Sequence, residues 1–254
     1  MTSLALPTVA ASTLPIEGSA ERWPIRRVYC VGRNYADHAR EMGSDPDREP
    51  PFFFSKPADA VYAASEGIPA GGGDAASSGA AGATGVAPGT TPYPPRTEEL
   101  HHEVELVVAI GGDRELVDLD PAAALDAVWG YTVGIDLTRR DRQAVAKSSG
   151  RPWDLAKGFD ASGPVGALVP AERLGHPAAA RIHLEVNGAT RQDGDLDQQI
   201  WSVPEIVAEL SREIALRPGD LIFTGTPAGV GPLERGDAVR ATIEGVASLE
   251  VRVV

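Results

Sequence analysis

The segment HHEVELVV, residues 101–108, joins strand alternation to a pair of carboxylates. Side chains two apart on a strand share a face. Val104, Leu106 and Val108 therefore point into a core, and His101, Glu103 and Glu105 point the other way. The fold must accommodate a strand that is apolar on one side and acidic on the other. At a rise of ~3.3 Å per residue the two carboxylates sit ~6–7 Å apart along the strand, where like charges repel. A fully solvated face tolerates that repulsion. A hard divalent cation with oxygen ligands removes it.

A third carboxylate strengthens the metal reading. VWGYTVGIDLTRRDRQ reads as a strand over 128–137 followed by a helix, with Thr138 and Asp141 spaced as a capping box. Asp136 then lies at the strand's carboxyl end beside a helix start. Two Glu and one Asp suit Mg²⁺ or Mn²⁺, with positions left for water or substrate. No HExxH, CxxC pair or histidine cluster competes as a softer site. Arg140 and Gln143 are three apart and share a helix face. Lys157, between Leu155 and Phe159, has apolar neighbours and is placed to meet an anion. In RNYADHARE, His38 and Glu41 also stand three apart, as a general base and the carboxylate that orients it do. Each of these pairs is equally compatible with a solvated helix face. GDLIFTGTPAGVG is a strand entering a glycine loop. It matches neither a phosphate loop nor a GxGxxG or GxSxG pattern, and Thr224 and Thr226 offer hydroxyl and backbone donors.

Charge narrows the function classes. A formal net charge of −13 leaves no basic stripe for nucleic acid. It also requires local cations, or a metal, for any anionic substrate. Cys30 is the one cysteine, so no intrachain disulfide forms, and a reducing, cytoplasmic compartment is the economical reading. No signal-peptide pattern and no apolar run of about 18 residues is present, so no membrane association is expected.

Residues 1–22 read as an extended or poorly ordered N-terminal arm, followed by a single catalytic domain over 23–254. A stretch rich in Ala, Gly, Ser and Thr, about residues 64–91, reads as a flexible insertion. LDPAAALDAV is a short helix with Pro121 in its first turn, and ADHAREMG is a helical turn ended by Gly43. Asn187-Gly188 marks a hairpin. IWSVPEIVAELSREIAL is a helix capped by Ser202 and Glu205, with Ile206, Val207, Leu210 and Ile214 as its apolar stripe. Many short strands with few helices predict a strand-dominated α+β fold.

The segments YCVGRNYADHAREMG, PPFFFSKPADAV, ELHHEVELVVAIG, GYTVGIDLTRRDRQ, GRPWDLAKGFD, VNGATRQ, IWSVPEIV and LRPGDLIFTGTPAGVG resemble the fumarylacetoacetate hydrolase family. They span about residue 23 to the C-terminus. Within that family the chain is most similar to bacterial fumarylpyruvate hydrolases. The resemblance implies a mixed β-sheet roll with peripheral helices, usually dimeric. It implies Glu103, Glu105 and Asp136 as Mg²⁺ or Mn²⁺ ligands, and His38 and Glu41 as the water-activating pair. It also implies Lys157 and Gln143 as catalytic groups, and Arg33, Arg140 and Thr226 as substrate-binding groups. The activity implied is hydrolysis of a carbon–carbon bond in an acylpyruvate, with fumarylpyruvate giving fumarate and pyruvate in gentisate-type degradation. A distal carboxylate on that substrate calls for a cation, and Arg40, Arg139 and Arg151 are neighbours of the matched residues. The alternatives are a general acylpyruvate hydrolase, an oxaloacetate decarboxylase, a dienoate isomerase or decarboxylase, and, more remotely, a non-catalytic diacid binder.

Overall fold

The acidic strand lies at the centre of the architecture, and both of its faces are covered. The computed structural model describes residues 10–41, 49–69 and 85–254. Val104–Ile110 pairs antiparallel with Val128–Ile135 on one side and with Asp220–Phe223 on the other. Beyond Asp220–Phe223 the sheet continues to Arg27–Val31, in parallel, and to Phe53–Lys56. Beyond Val128–Ile135 it continues to Gly163–Val165 and Val61–Ala63, which are parallel to each other. A second sheet runs in the order Ala189–Asp195, Arg181–Val186, Ala238–Ile243, Ala247–Val253, Thr90–Thr91. The helices are short and peripheral, as a strand-dominated α+β chain requires. None among the described residues is long and apolar enough to cross a membrane.

Leu106, Val108 and Ile110 enter a core shared with Leu184, Val239, Ala241 and Val251 of the second sheet. Val107 and Ala109, on the acidic side of the same strand, enter a separate core with Val28, Cys30, Leu221 and Phe223. The acidic side is therefore not a polar face. Glu103 and Glu105 stand at the end of an apolar one, which withdraws them from water.

Several local expectations hold. Asn187 and Gly188 have φ of 53° and 76°, the left-handed pair of a type I′ turn, between Arg181–Val186 and Ala189–Asp195. In the helix Val203–Glu213 the Glu205 carboxylate accepts the Ser202 backbone N–H at 2.9 Å and its hydroxyl at 2.7 Å. Ile206, Val207 and Leu210 are buried as expected, while Ile214 falls just past the helix end. Pro121 opens the helix Pro121–Asp126.

Three expectations are corrected. Thr138 and Asp141 form no capping box. Thr138 pairs in the strand Thr138–Arg139 opposite His101, and Asp141 instead accepts from Thr97 Oγ1 at 2.6 Å and Glu98 N at 3.2 Å. The N-terminal arm is not loose over its described part, because Thr13–Pro15 pairs with Arg22–Pro24 and Leu14 is fully buried. The insertion is narrower than its composition suggests. Ala64 N bonds Val165 O at 2.9 Å, Ile68 bridges Val86, and Val86 is buried. Residues 70–84 of that stretch, and Gly43, lie outside the described residues.

Candidate active site

Strand register brings the three acids together. Val104 sits opposite Ile135, so the next residue on each side, Glu103 and Asp136, are neighbours, and Asp136 N donates to Glu103 O at 2.8 Å. Glu105 follows on the same face as Glu103. One carboxylate oxygen from each of Glu103, Glu105 and Asp136 lies within 4.8 Å of the others, and all three residues are buried.

Cations surround the cluster unevenly. Lys157, at the end of the helix Asp154–Lys157, places Nζ 2.7 Å from both Glu103 Oε2 and Asp136 Oδ2. Arg140 reaches Glu103 Oε1 at 2.5 Å, Gln143 Oε1 at 2.5 Å and His101 Nδ1 at 3.4 Å. Lys56 Nζ lies 2.7 Å from Asp136 Oδ1. Among the described residues Glu105 receives the Gly225 N–H, at 2.7 Å on Oε2, and no ion pair.

Protonation follows that asymmetry. Burial pushes the Glu103 carboxyl up, but Lys157 and Arg140 together outweigh it and hold Glu103 below the usual carboxylate range. At Glu105 burial, then Asp136 and Glu103, all push upward, and its pKa is raised well above the ordinary value. Burial favours neutral Lys157, yet Asp136 and Glu103 raise it overall, so it stays an ammonium. Burial, then Arg140, brings His101 down to about 4. The cluster thus lacks positive charge at Glu105. Asp136 Oδ1 is buried too, and the Lys56 ammonium meets it as a close ion pair, not as a well-aligned hydrogen bond. Three buried carboxylates with converging oxygens, one of them with no ion pair among the described residues, fit a hard divalent ion such as Mg²⁺ or Mn²⁺.

A histidine stands beside this centre. The short helix Ala36–Glu41 sets His38 Nδ1 3.4 Å from Glu41 Oε2. Burial lowers the His38 pKa more than Glu103 and Glu41 raise it, so the imidazole is neutral at pH 7. Glu41 accepts the Gly229 N–H at 3.1 and 3.3 Å. The glycine loop therefore hands one N–H to Glu105, from Gly225, and one to Glu41, from Gly229. Both glycines have φ near +95°, and a Cβ at Gly229 would meet Arg191 O at 2.1 Å. No other residue type fits there.

The remaining expected groups divide. The Thr226 hydroxyl, nearly buried, accepts from Gln192 Nε2 at 2.7 Å. Thr224 is committed to Leu106 O and Gln199. Arg33 does not join the cluster. Its guanidinium lies 5.3 Å from the Phe52 ring and makes no ion pair among the described residues. An aromatic wall nevertheless links the two regions. Phe52 packs on Trp153, Trp153 on Phe54, and the Phe54 ring centroid lies 5.1 Å from Lys157 Nζ. Arg40 is paired with Asp37, and Arg139 lies over Phe159.

Sequence reading missed three buried groups. Lys56 ends an apolar strand, and its alternation with Phe54 was the available signal. Asn34 is fully buried, donating to Trp201 O and Thr224 O at 2.9 and 2.8 Å and accepting from Trp201 N at 2.7 Å. Gln192 accepts from Val104 N at 3.0 Å and donates to Pro227 O at 2.9 Å, tying the acidic strand to the glycine loop.

Comparison with known proteins agrees with this arrangement. Residues 27–254 match the fumarylacetoacetate (FAA) hydrolase C-terminal family. The chain is 42% identical over 243 residues to the mitochondrial oxaloacetate tautomerase FAHD1 of Mus musculus, spanning 96% of this chain and 97% of that protein. It is 34% identical over 223 residues to the mitochondrial oxaloacetate decarboxylase of Dictyostelium discoideum, spanning 87% and 90%. It superposes on the crystal structure of fumarylpyruvate hydrolase from Pseudomonas aeruginosa in complex with Mn²⁺ and pyruvate, with a TM-score of 0.86 and 49% identity over 100% of this chain and 99% of that one. A family match across residues 27–254, with relatives above 40% identity over nearly the whole length, means that the chain belongs to the fumarylacetoacetate hydrolase family.

Proposed function

We propose that the protein is a metal-dependent acylpyruvate hydrolase that cleaves fumarylpyruvate with water to fumarate and pyruvate. The observation that carries this reading is the neutral, carboxylate-oriented His38 beside a buried three-carboxylate centre lined by Lys157, Arg140 and Gln143. Glu103, Glu105 and Asp136 would hold Mg²⁺ or Mn²⁺, which when bound supplies Lewis acidity for the enolate charge.

The chain's own residues do the rest. Donation of Nδ1–H to Glu41 leaves His38 Nε2 as the acceptor for a water proton. The water oxygen adds to the distal ketone carbon. The adjacent carbon–carbon bond then breaks, and its electron pair leaves with the pyruvyl fragment. The acyl fragment departs as a carboxylic acid that loses its remaining proton to solvent, and His38 returns its proton to the pyruvyl carbon. The Lys157 ammonium and the Gln143 amide are preorganised donors for the negative charge that develops, and losing one such donor typically costs on the order of 10²–10³ in rate. Arg140 and Thr226 orient the pyruvyl carboxylate.

The fumaryl end carries a second carboxylate. Arg33 stands at the outer end of the Phe54–Trp153–Phe52 wall with no anionic partner among the described residues, which fits it to meet that group. Arg33→Met is expected to raise KM for fumarylpyruvate about tenfold or more, as loss of a charge-assisted hydrogen bond does. Acetylpyruvate, which lacks the distal carboxylate, should be unaffected. An equal change for both substrates would remove Arg33 from this role.

A second reading comes from the relatives named for oxaloacetate chemistry. Tautomerisation or decarboxylation of oxaloacetate uses the same enolate stabilisation without an attacking water. The deciding experiment follows the enol absorbance of fumarylpyruvate, acetylpyruvate and oxaloacetate on mixing with protein, with Mn²⁺ and then with EDTA. Chelator-sensitive loss of fumarylpyruvate far above the others is expected. Faster conversion of oxaloacetate transfers the enzyme to the second reading, and no conversion of any removes the catalytic one. The same proposal places the enzyme in the cytoplasm as a homodimer in gentisate-type aromatic degradation. Its support is the family resemblance and, for the compartment, the buried thiol Cys30. Sedimentation as a monomer at assay concentration would remove the dimer.

A further inference from the structure

Asp136 is held by two ammonium groups that are not equivalent. Lys157 approaches Oδ2 and also bonds Glu103, so it belongs to the space between the acids. Lys56 approaches Oδ1 and otherwise bonds only main chain. Its ammonium donates to the carbonyl of Lys157, in a very short contact, and to the carbonyl of Leu137 at 3.4 Å. The Lys157 carbonyl closes a four-residue helix and has no helical partner of its own. The Leu137 carbonyl directly follows Asp136. One buried side chain thus joins the strand end that carries Asp136 to the helix end that carries Lys157, 101 residues from Lys56 in the chain. Its stem is confined as well. A Cβ added at Gly163 would lie 3.6 Å from Lys56 Cδ and 2.9 Å from Val61 Cγ2. A buried ammonium is tolerated only when it is paired and hydrogen-bonded, and among the described residues the polar partners of the Lys56 ammonium lie on these two elements, with the Phe159 ring 5.7 Å away.

We propose that Lys56 is a positioning residue. Its ammonium fixes the Asp136 carboxylate from behind and fixes the backbone that aims Lys157 at the reacting oxygens. The inference about Asp136 concerns this chain's own metal-binding acid, and the part about Lys157 rests on the acylpyruvate reading. Groups that orient metal ligands from outside typically matter by about 10–100-fold in metal affinity or activity.

The test is Lys56→Met, which keeps length and loses the charge and the donors, with Lys56→Gln as the variant that keeps one N–H donor. Mn²⁺ affinity is read by electron paramagnetic resonance of the free ion. Folding is read by the thermal melt, and turnover is expressed per Mn²⁺-occupied site, which discounts any unfolded fraction. The expected result for Lys56→Met is a Mn²⁺ dissociation constant raised about tenfold or more, with kcat per occupied site down about 10–100-fold. Lys56→Gln should fall between it and the parent, and it carries both measurements if the Met variant does not fold. Simple charge removal would instead tighten Mn²⁺ binding. Binding as tight as the parent's or tighter, or kcat per occupied site within about twofold, overturns the proposal. If the parent turns over no acylpyruvate, the functional reading fails, and the Mn²⁺ measurement still judges Lys56.

Discussion

Glu105→Gln is expected to abolish turnover while leaving the metal-free protein at least as stable as the parent. Burial, then Asp136 and Glu103, raise the Glu105 pKa well above the ordinary 4.5. The folded state therefore disfavours the charged form of Glu105 relative to the unfolded chain. A raised carboxyl pKa costs stability as pH rises from the unfolded value through the folded one, and above both values the full cost is present. Gln resembles the protonated acid in shape, still accepts the Gly225 N–H, and carries no such cost. Without metal, the variant's melting temperature at pH 7 should equal or exceed the parent's. Added Mn²⁺ should raise the parent's melting temperature, because a ligand that binds only the folded state stabilises it, and should leave the variant's unmoved. Losing several kcal/mol of charge stabilisation at about 1.4 kcal/mol per tenfold puts the fall in kcat/KM on the order of 10³ or more. A Mn²⁺-dependent melting shift that survives in the variant would show that Glu105 is no ligand.

What was legible in the sequence was short-range. Strand alternation put Glu103 and Glu105 on one side of a strand, and helical spacing put Arg140 beside Gln143 and His38 beside Glu41, since those geometries depend on residues two or three apart. Resemblance to the family pointed to Lys157. The structure then showed both of its bonds to acids 54 and 21 residues away. Lys56 and Asn34 escaped because their partners, from Asp136 and Leu137 for Lys56 to Thr224 for Asn34, lie 80 or more residues distant, and no local period records such a contact. The Thr138–Asp141 box failed for the complementary reason. Its local signal was sound, but pairing of Thr138 with His101 and capture of Asp141 by Thr97 used the same groups elsewhere. Composition misjudged the N-terminal arm and the ends of the insertion, because Leu14 and Val86 are single apolar residues in weakly apolar surroundings, and each finds a core.

His38 separates the two chemistries this centre can perform. Hydrolysis needs a base for water, whereas release of carbon dioxide from oxaloacetate needs only stabilisation of the enolate. His38→Gln should therefore lower fumarylpyruvate hydrolysis by about 10²–10⁴, the usual contribution of a positioned base, and leave oxaloacetate decarboxylation within about tenfold. The pH profile carries the same distinction. Burial lowers the His38 pKa below 6.5, against the opposing pull of Glu103 and Glu41. The base is active when neutral, so kcat/KM for hydrolysis should be flat through neutral pH and decline as pH falls through a value below 6.5. Glu41→Gln removes one of the groups that favour the imidazolium, which should move that limb further to the acid side while loosening the imidazole and reducing the plateau. Decarboxylation should lack the His38 limb altogether. An acid limb centred above pH 7, or an equal loss of both activities in His38→Gln, would mean that the imidazole supports the site's structure, and that water is activated by another group.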